Sequence, residues 1–431
     1  MNKSNVGSSW EDLSSFAPHT KLVFEYAQKK NIDTVSRIGI PDFLILPEIT
    51  PYSGDWSKKI GRNNSINQQI THREVLLRYL LGKAIVDQGS DTPGIQQWYE
   101  IVVRECYTSG IQFIHHPEHF VQRYAEVIEI AHSAAKQVTD ERAEDWANLQ
   151  PNRKSGLYTP FNVDGMRGGK YTHWFTSSRL FPAILMSSTV QGGLTQIIFG
   201  EGPENERPLD MARKRLRNHH KFGLGYGIGD KAADLFVKWS VGCLNLTPPE
   251  MRDWEPTEAV IPMDQRIGRV MMRCGFMEEF FDTELHIRRY LDKGDEPMFV
   301  NDEGAQIPDS GLPNSTIFLW VRQFRRKGRT KHRGEEATRI EGDEWCRKSW
   351  KEHYGGRVPT LDPQTVVQLL CKSISQKNSE SFSAAHLDDF FFDLAEEYCH
   401  DKNPRCDQCE ISDSCLANNV EEMKPLKKYI T

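Results

Sequence analysis

Four cysteines crowd into one short stretch, Cys399-HDKNPR-Cys406-DQ-Cys409-EISDS-Cys415. If these thiols act together, a spacing of C-x6-C-x2-C-x5-C forces the segment into a compact loop, and the fold must present that loop. The chain has nine cysteines; Cys106, Cys243, Cys274, Cys346 and Cys371 are scattered singly and read as buried thiols. Disulfides are disfavoured for the other four, because the start MNKSNVGSSWEDLSS lacks the basic and apolar regions of a secretion signal, which predicts a reducing, cytoplasmic setting. Structural zinc sites usually bring two C-x2-C knuckles, and only one is present here. Four thiolates on one loop can instead give each iron of a [4Fe-4S] cubane its protein ligand. The spacing therefore favours an iron–sulfur cluster, with zinc as the minority alternative.

Periodicity predicts a mostly helical protein. Apolar residues recur at helical spacing over residues 73–86, 94–106 and 119–138, and again in DPQTVVQLLCKSI and HLDDFFFDLAEEYC, the second of which delivers Cys399. A helix-like RLFPAILMSST and a further helix at DMARKRLRNHHK follow the irregular stretch near residue 152. Insertions are predicted at about 150–208 and 281–360, the latter carrying IFLWVRQF as a strand or short helix. The predicted division is an N-terminal segment over 1–75, a helical barrel over 76–263, a second helical lobe over 264–398 and the cysteine loop with its tail over 399–431. The longest apolar runs, such as TIFLWV, fall far short of the ~18–20 residues a membrane helix needs, so no membrane partner is expected.

Three further motifs carry chemistry. Residues 222–239, FGLGYGIGDKAADLFVKW, place Gly227 and Gly229 ahead of an amphipathic helix, which suits a tight turn with positive φ and bare N–H groups that can meet a phosphate. Lys231 follows in the first turn of that helix; it reads either as a surface lysine or as an amine nucleophile. Asp264, in IPMDQRIGRV, suits a helix N-cap and equally a carboxylate facing developing positive charge. Gln88, in VDQGSD, precedes a helix start that Ser90 or Asp91 would cap.

In this order, the Gln88 element, the glycine hairpin with Lys231, the Asp264 segment and the cysteine loop resemble the helix-hairpin-helix (HhH-GPD) DNA glycosylases of the endonuclease III and MutY branch. The anchors bracket residues 75–279 and 361–416; the insertion at 281–360 lies outside them and the one at 150–208 is unmatched within them. Gly225 and Tyr226 stand where the family usually has Leu-Pro, and the stretch from Lys231 to Asp264 is longer than expected. The resemblance implies an all-α, two-lobed fold that holds double-stranded DNA with one base flipped out. It implies excision of a damaged or modified base, with strand nicking by a Schiff-base lysine. Lys231 would be that nucleophile, Asp264 its electrostatic partner and Gln88 the wedge that fills the gap in the duplex. Gly227 and Gly229 would meet phosphate, as would Lys402 and Arg405 on a loop propped by the cluster. Two other readings remain open: a hydrolase acting on RNA or a modified nucleoside, and a non-catalytic binding module stabilised by the cluster.

A net charge of −6 looks adverse for a DNA enzyme, but the positive charge is clustered. Arg213, Lys214, Arg215, Arg217 and Lys221 precede the hairpin, and the run 322–333, containing Arg325 and Arg326, is predicted to grip nucleic acid.

Overall fold

The structure is a computed structural model that describes residues 18–44, 59–63, 68–87, 92–144, 184–185, 192–200, 212–213, 215–216, 228–248, 259–274, 286–287, 299–300, 363–378, 382–400, 404–415 and 424–425. Helix dominates them, as the periodicity predicts. Short antiparallel ladders also occur, joining β1 (Lys59–Asn63) to β2 (Gln68–Thr71), and placing β3 (His286–Ile287) between β4 (Phe299–Val300) and β5 (Lys424–Pro425). The chain forms two compact units, residues 35–256 and a second made of residues 1–34 with 257–431. The divisions fall after Thr34 and before Thr257, not at residues 75 and 263, because Ile38 and Leu44 already pack in the core of the first unit.

That first unit is built on α2 (His72–Val86), whose every residue is buried. The helix is not amphipathic in use: α3 (Thr92–Thr108), α6 (Gly193–Phe199) and α7 (Asp230–Val237) all pack on it. Its polar residues are consequently paired within the protein, Glu74 with Arg78 at 3.0 Å and Lys83 with Glu100 at 2.8 Å. Tyr79 and Tyr99 stack at 5.3 Å, and each hydroxyl donates to a backbone carbonyl, of Gly39 and Tyr79 respectively. Following α4 (Pro117–Gln122), α5 (Tyr124–Glu141) packs on α3, where the fully buried Trp98 donates its indole N–H to the Ala131 carbonyl at 3.0 Å. Truncating a tryptophan so placed typically costs about 3–5 kcal/mol.

Helix α6 lies inside the stretch read as an insertion, yet Leu194, Ile197, Ile198 and Phe199 belong to this core. Its start is fixed by Glu74, which accepts the N–H groups of Leu194 and Thr195 at 2.9 and 3.0 Å. Gly193 is obligatory there: its φ is +60°, and a Cβ would sit 2.2 Å from the Glu74 carboxylate.

The second unit gathers α1 (Pro18–Lys30), α8 (Gln265–Arg273), α9 (Pro363–Asn378) and α10 (Ala384–Glu397) around one apolar cluster. Helix α10 packs on both α1 and α8, with Phe24 edge-on to Phe391 at 6.0 Å. Ser383 caps α10 in a capping box: its hydroxyl accepts the Ala385 N–H, while His386 accepts the Ser383 N–H at 3.2 Å. Among the described residues, no helix is long and apolar enough to cross a membrane.

Candidate functional site

Lys231 sits in the first turn of α7, held by the burial of Ala232, Ala233 and Phe236 against the core. Its side chain is 26% exposed, and its ammonium lies 3.6 Å from Oδ2 of Asp87, whose side chain is 2% exposed. Asp87 follows the last residue of α2, and its Oδ1 accepts the Thr92 hydroxyl at 2.9 Å. The sequence hid this partner, because an acidic residue just past an apolar helix reads as a solvated end. Gln88 and Gly227 lie outside the described residues. Gly229 corrects one expectation: at φ −78° and ψ 177° it is extended, with no positive φ. It is exposed and a Cβ there would meet nothing within 4 Å, so what this glycine provides is open space over the first turn of α7.

Beside this station the positive run is partly spent on structure. Arg213 reaches 2.9 Å to Asp234, a fully buried carboxylate one turn after Lys231, and Arg215 donates to the Gly200 carbonyl. Arg325 and Arg326 lie outside the described residues.

Asp264 belongs to the other unit. Its Oδ1 accepts the N–H groups of Arg266 and Ile267 at 2.9 and 3.0 Å, so it caps α8 as an N-cap aspartate should. Arg266 is itself held by Glu396 of α10 at 2.5 Å and lies over the Phe392 ring.

Cys399, Cys406, Cys409 and Cys415 line one cavity, whose other wall comes from Val270, Arg273 and Cys274 of the α8 segment and Leu394 of α10. Successive backbone turns wind the loop: the Arg405 N–H donates to Tyr398, Cys409 to Cys406 and Cys415 to Ile411. From α1, Tyr26 donates to Glu410 at 3.1 Å, and Lys30 pairs with the same carboxylate. Arg273 donates to the Cys399 sulfur at 3.3 Å and to the His400 carbonyl at 2.7 Å, while Arg269 donates to the Cys399 carbonyl. Burial, followed by the charge of the neighbouring thiols, pushes Cys406 up to about 11; burial likewise pushes Cys409 up to about 12. Cys274, read from sequence as a lone thiol, belongs to this group: its hydrogen bond with Cys415, followed by burial, holds it well above the ordinary thiol range. Cys106 and Cys371 are buried in the two cores as expected.

Four cysteine thiols lining one cavity match in number the protein ligands that a four-iron cluster would take. A single zinc ion needs its sulfur donors about 2.3 Å from one point. A cubane asks each thiol to meet a different iron, and the Arg273 guanidinium would offset the negative charge of the ligated sulfurs. Arg405 is exposed at the rim of this loop, and Lys402 lies outside the described residues. Comparison of the chain with models of known protein families, with characterised proteins and with solved structures finds no match.

Proposed function

We propose that the protein is a DNA glycosylase with lyase activity, which flips a damaged or modified base out of the duplex and cuts its glycosidic bond. The observation that carries this reading is the station of Lys231. A partly exposed amine stands in the first turn of the helix after an open glycine, with a buried carboxylate 3.6 Å away to receive its proton. The amine would attack the anomeric carbon of the flipped nucleotide, and Asp264 would stabilise positive charge on the sugar as the base departs. Gln88 would fill the vacated stack. Gly227, Gly229, Lys402 and Arg405 would meet phosphates, with Arg325 and Arg326 gripping the duplex beyond. The [4Fe-4S] cluster, held by Cys399, Cys406, Cys409 and Cys415, would brace the loop that carries Lys402 and Arg405.

The test is a screen of duplexes bearing single modified bases, with released bases identified by mass and covalent adducts trapped by borohydride. Base release with an adduct that disappears in Lys231→Ala is the expected result. No release on any duplex, or an adduct that survives Lys231→Ala, would overturn it. A hydrolase in which Lys231 is a bystander is the second reading, favoured by the ion pair that neutralises this lysine. Base release without any trapped adduct would select it.

A further inference from the structure

Asp87 is an expensive residue for its position. It follows a 15-residue helix, so it sits at the negative end of the helix dipole, and only 2% of its side chain reaches water. Burying a carboxylate there is unfavourable unless cations and hydrogen bonds hold it. Among the described residues, two cations act on it. Lys231 of α7 lies 3.6 Å from Oδ2, and Lys83, one turn back on α2, feels the Asp87 charge while pairing with Glu100 of α3. The two oxygens are differentiated: Oδ1 is fixed by the Thr92 hydroxyl, which turns Oδ2 towards Lys231. Among the described residues, Asp234 of α7 is engaged with Arg213 at 2.9 Å, and the buried Lys238 directly follows α7.

We infer that Asp87 is a positioning residue that orients Lys231 and accepts its proton, making the amine a nucleophile towards an electrophilic sugar carbon; the inference rests on the reading of Lys231 given above. In the step, an N–H bond of the ammonium breaks, its electron pair stays on Nζ, and the proton forms an O–H bond at Oδ2. The freed pair then forms the bond from Nζ to the anomeric carbon. The base leaves with the electrons of the glycosidic bond and takes a proton from solvent.

The experiment uses the full chain and two aldehyde probes with borohydride: a duplex containing an abasic site, and formaldehyde, with labelling of Lys231 read by peptide mass. Asp87→Asn keeps the size of the side chain and an acceptor for Thr92. It is expected to slow the labelling of Lys231 about tenfold or more at neutral pH, with the deficit closing in strongly alkaline buffer and partial rescue by Asp87→Glu. Thr92→Val, which frees Oδ1, should slow it less, and serves if Asp87→Asn does not fold. Unchanged or faster labelling in these variants would overturn the assignment, since it would mean the carboxylate merely holds the ammonium; so would a wild-type Lys231 that formaldehyde does not label. If formaldehyde labels Lys231 in the Asp87-dependent way but no duplex forms an adduct, the lyase reading fails while the role of Asp87 stands.

Discussion

Asp264 holds two duties that substitution can separate. Asparagine can accept the same two N–H groups, so Asp264→Asn should leave the unfolding free energy within a few tenths of a kcal/mol, whereas Asp264→Ala should cost about 1 kcal/mol. Base release should nevertheless fall by about 100-fold or more in both, because the negative charge is gone. Urea unfolding beside a base-release assay checks this, and an active Asp264→Asn would leave the residue as a cap alone. His115 makes a second residue-scale prediction. Burial, helped by the positive charges of His116 and Arg78, lowers it to about 4, and its Nδ1 meets the Tyr107 hydroxyl at 2.5 Å. Between pH 6.5 and about 4 the unfolded chain therefore binds a proton that the folded chain refuses, so this group makes stability fall as pH falls through that window. The loss should approach about 3 kcal/mol. Urea titrations of the wild type and His115→Gln across this range should show a flatter pH dependence in the variant.

Helices were legible in the sequence wherever apolar spacing ran long enough. The readings over residues 73–86 and 94–106 fall within α2 and α3, and the two C-terminal apolar patterns fall on α9 and α10. What stayed hidden depends on contacts far along the chain. Helix α6 is only seven residues long, too short for a periodicity to show, and its start is capped by Glu74 from 120 positions away. After Val237, residues Lys238–Cys243 continue α7 as a π-helix, which carries no local signature in the sequence. The candidate site divides in the same way: the cysteine loop and Lys231 were readable as motifs, but Asp87 and Arg273 acquire meaning only from what they touch. At Gly229 the two influences can be separated. Alanine fits its extended backbone and open surroundings, so Gly229→Ala should change stability by no more than about 1 kcal/mol. Affinity for duplex DNA should nonetheless drop if a phosphate approaches that turn. Equal affinities in a fluorescence titration would remove Gly229 from the DNA-binding residues.

For the whole molecule, a net charge of −6 must be reconciled with DNA as the proposed partner. Arg213 and Arg215 make bonds within the protein, so the proposal shifts more of the phosphate binding onto the run 322–333. Replacing Arg322, Arg325, Arg326 and Arg329 with glutamine should reduce the slope of log affinity against log salt by about 0.9 for each phosphate that is no longer neutralised. An unchanged slope would take that run out of the interface. The order of the chain has its own consequence. The unit of residues 35–256 draws on one continuous stretch, while α1 finishes against partners made much later, its Tyr26 meeting Glu410 across 384 positions. On the ribosome, the middle of the protein can therefore close while the first helix still waits. The thiols at 399–415 follow that unit in synthesis, so under the proposed cluster reading iron starvation is expected to leave residues 35–256 folded and the second unit unassembled, with α1 open to proteases.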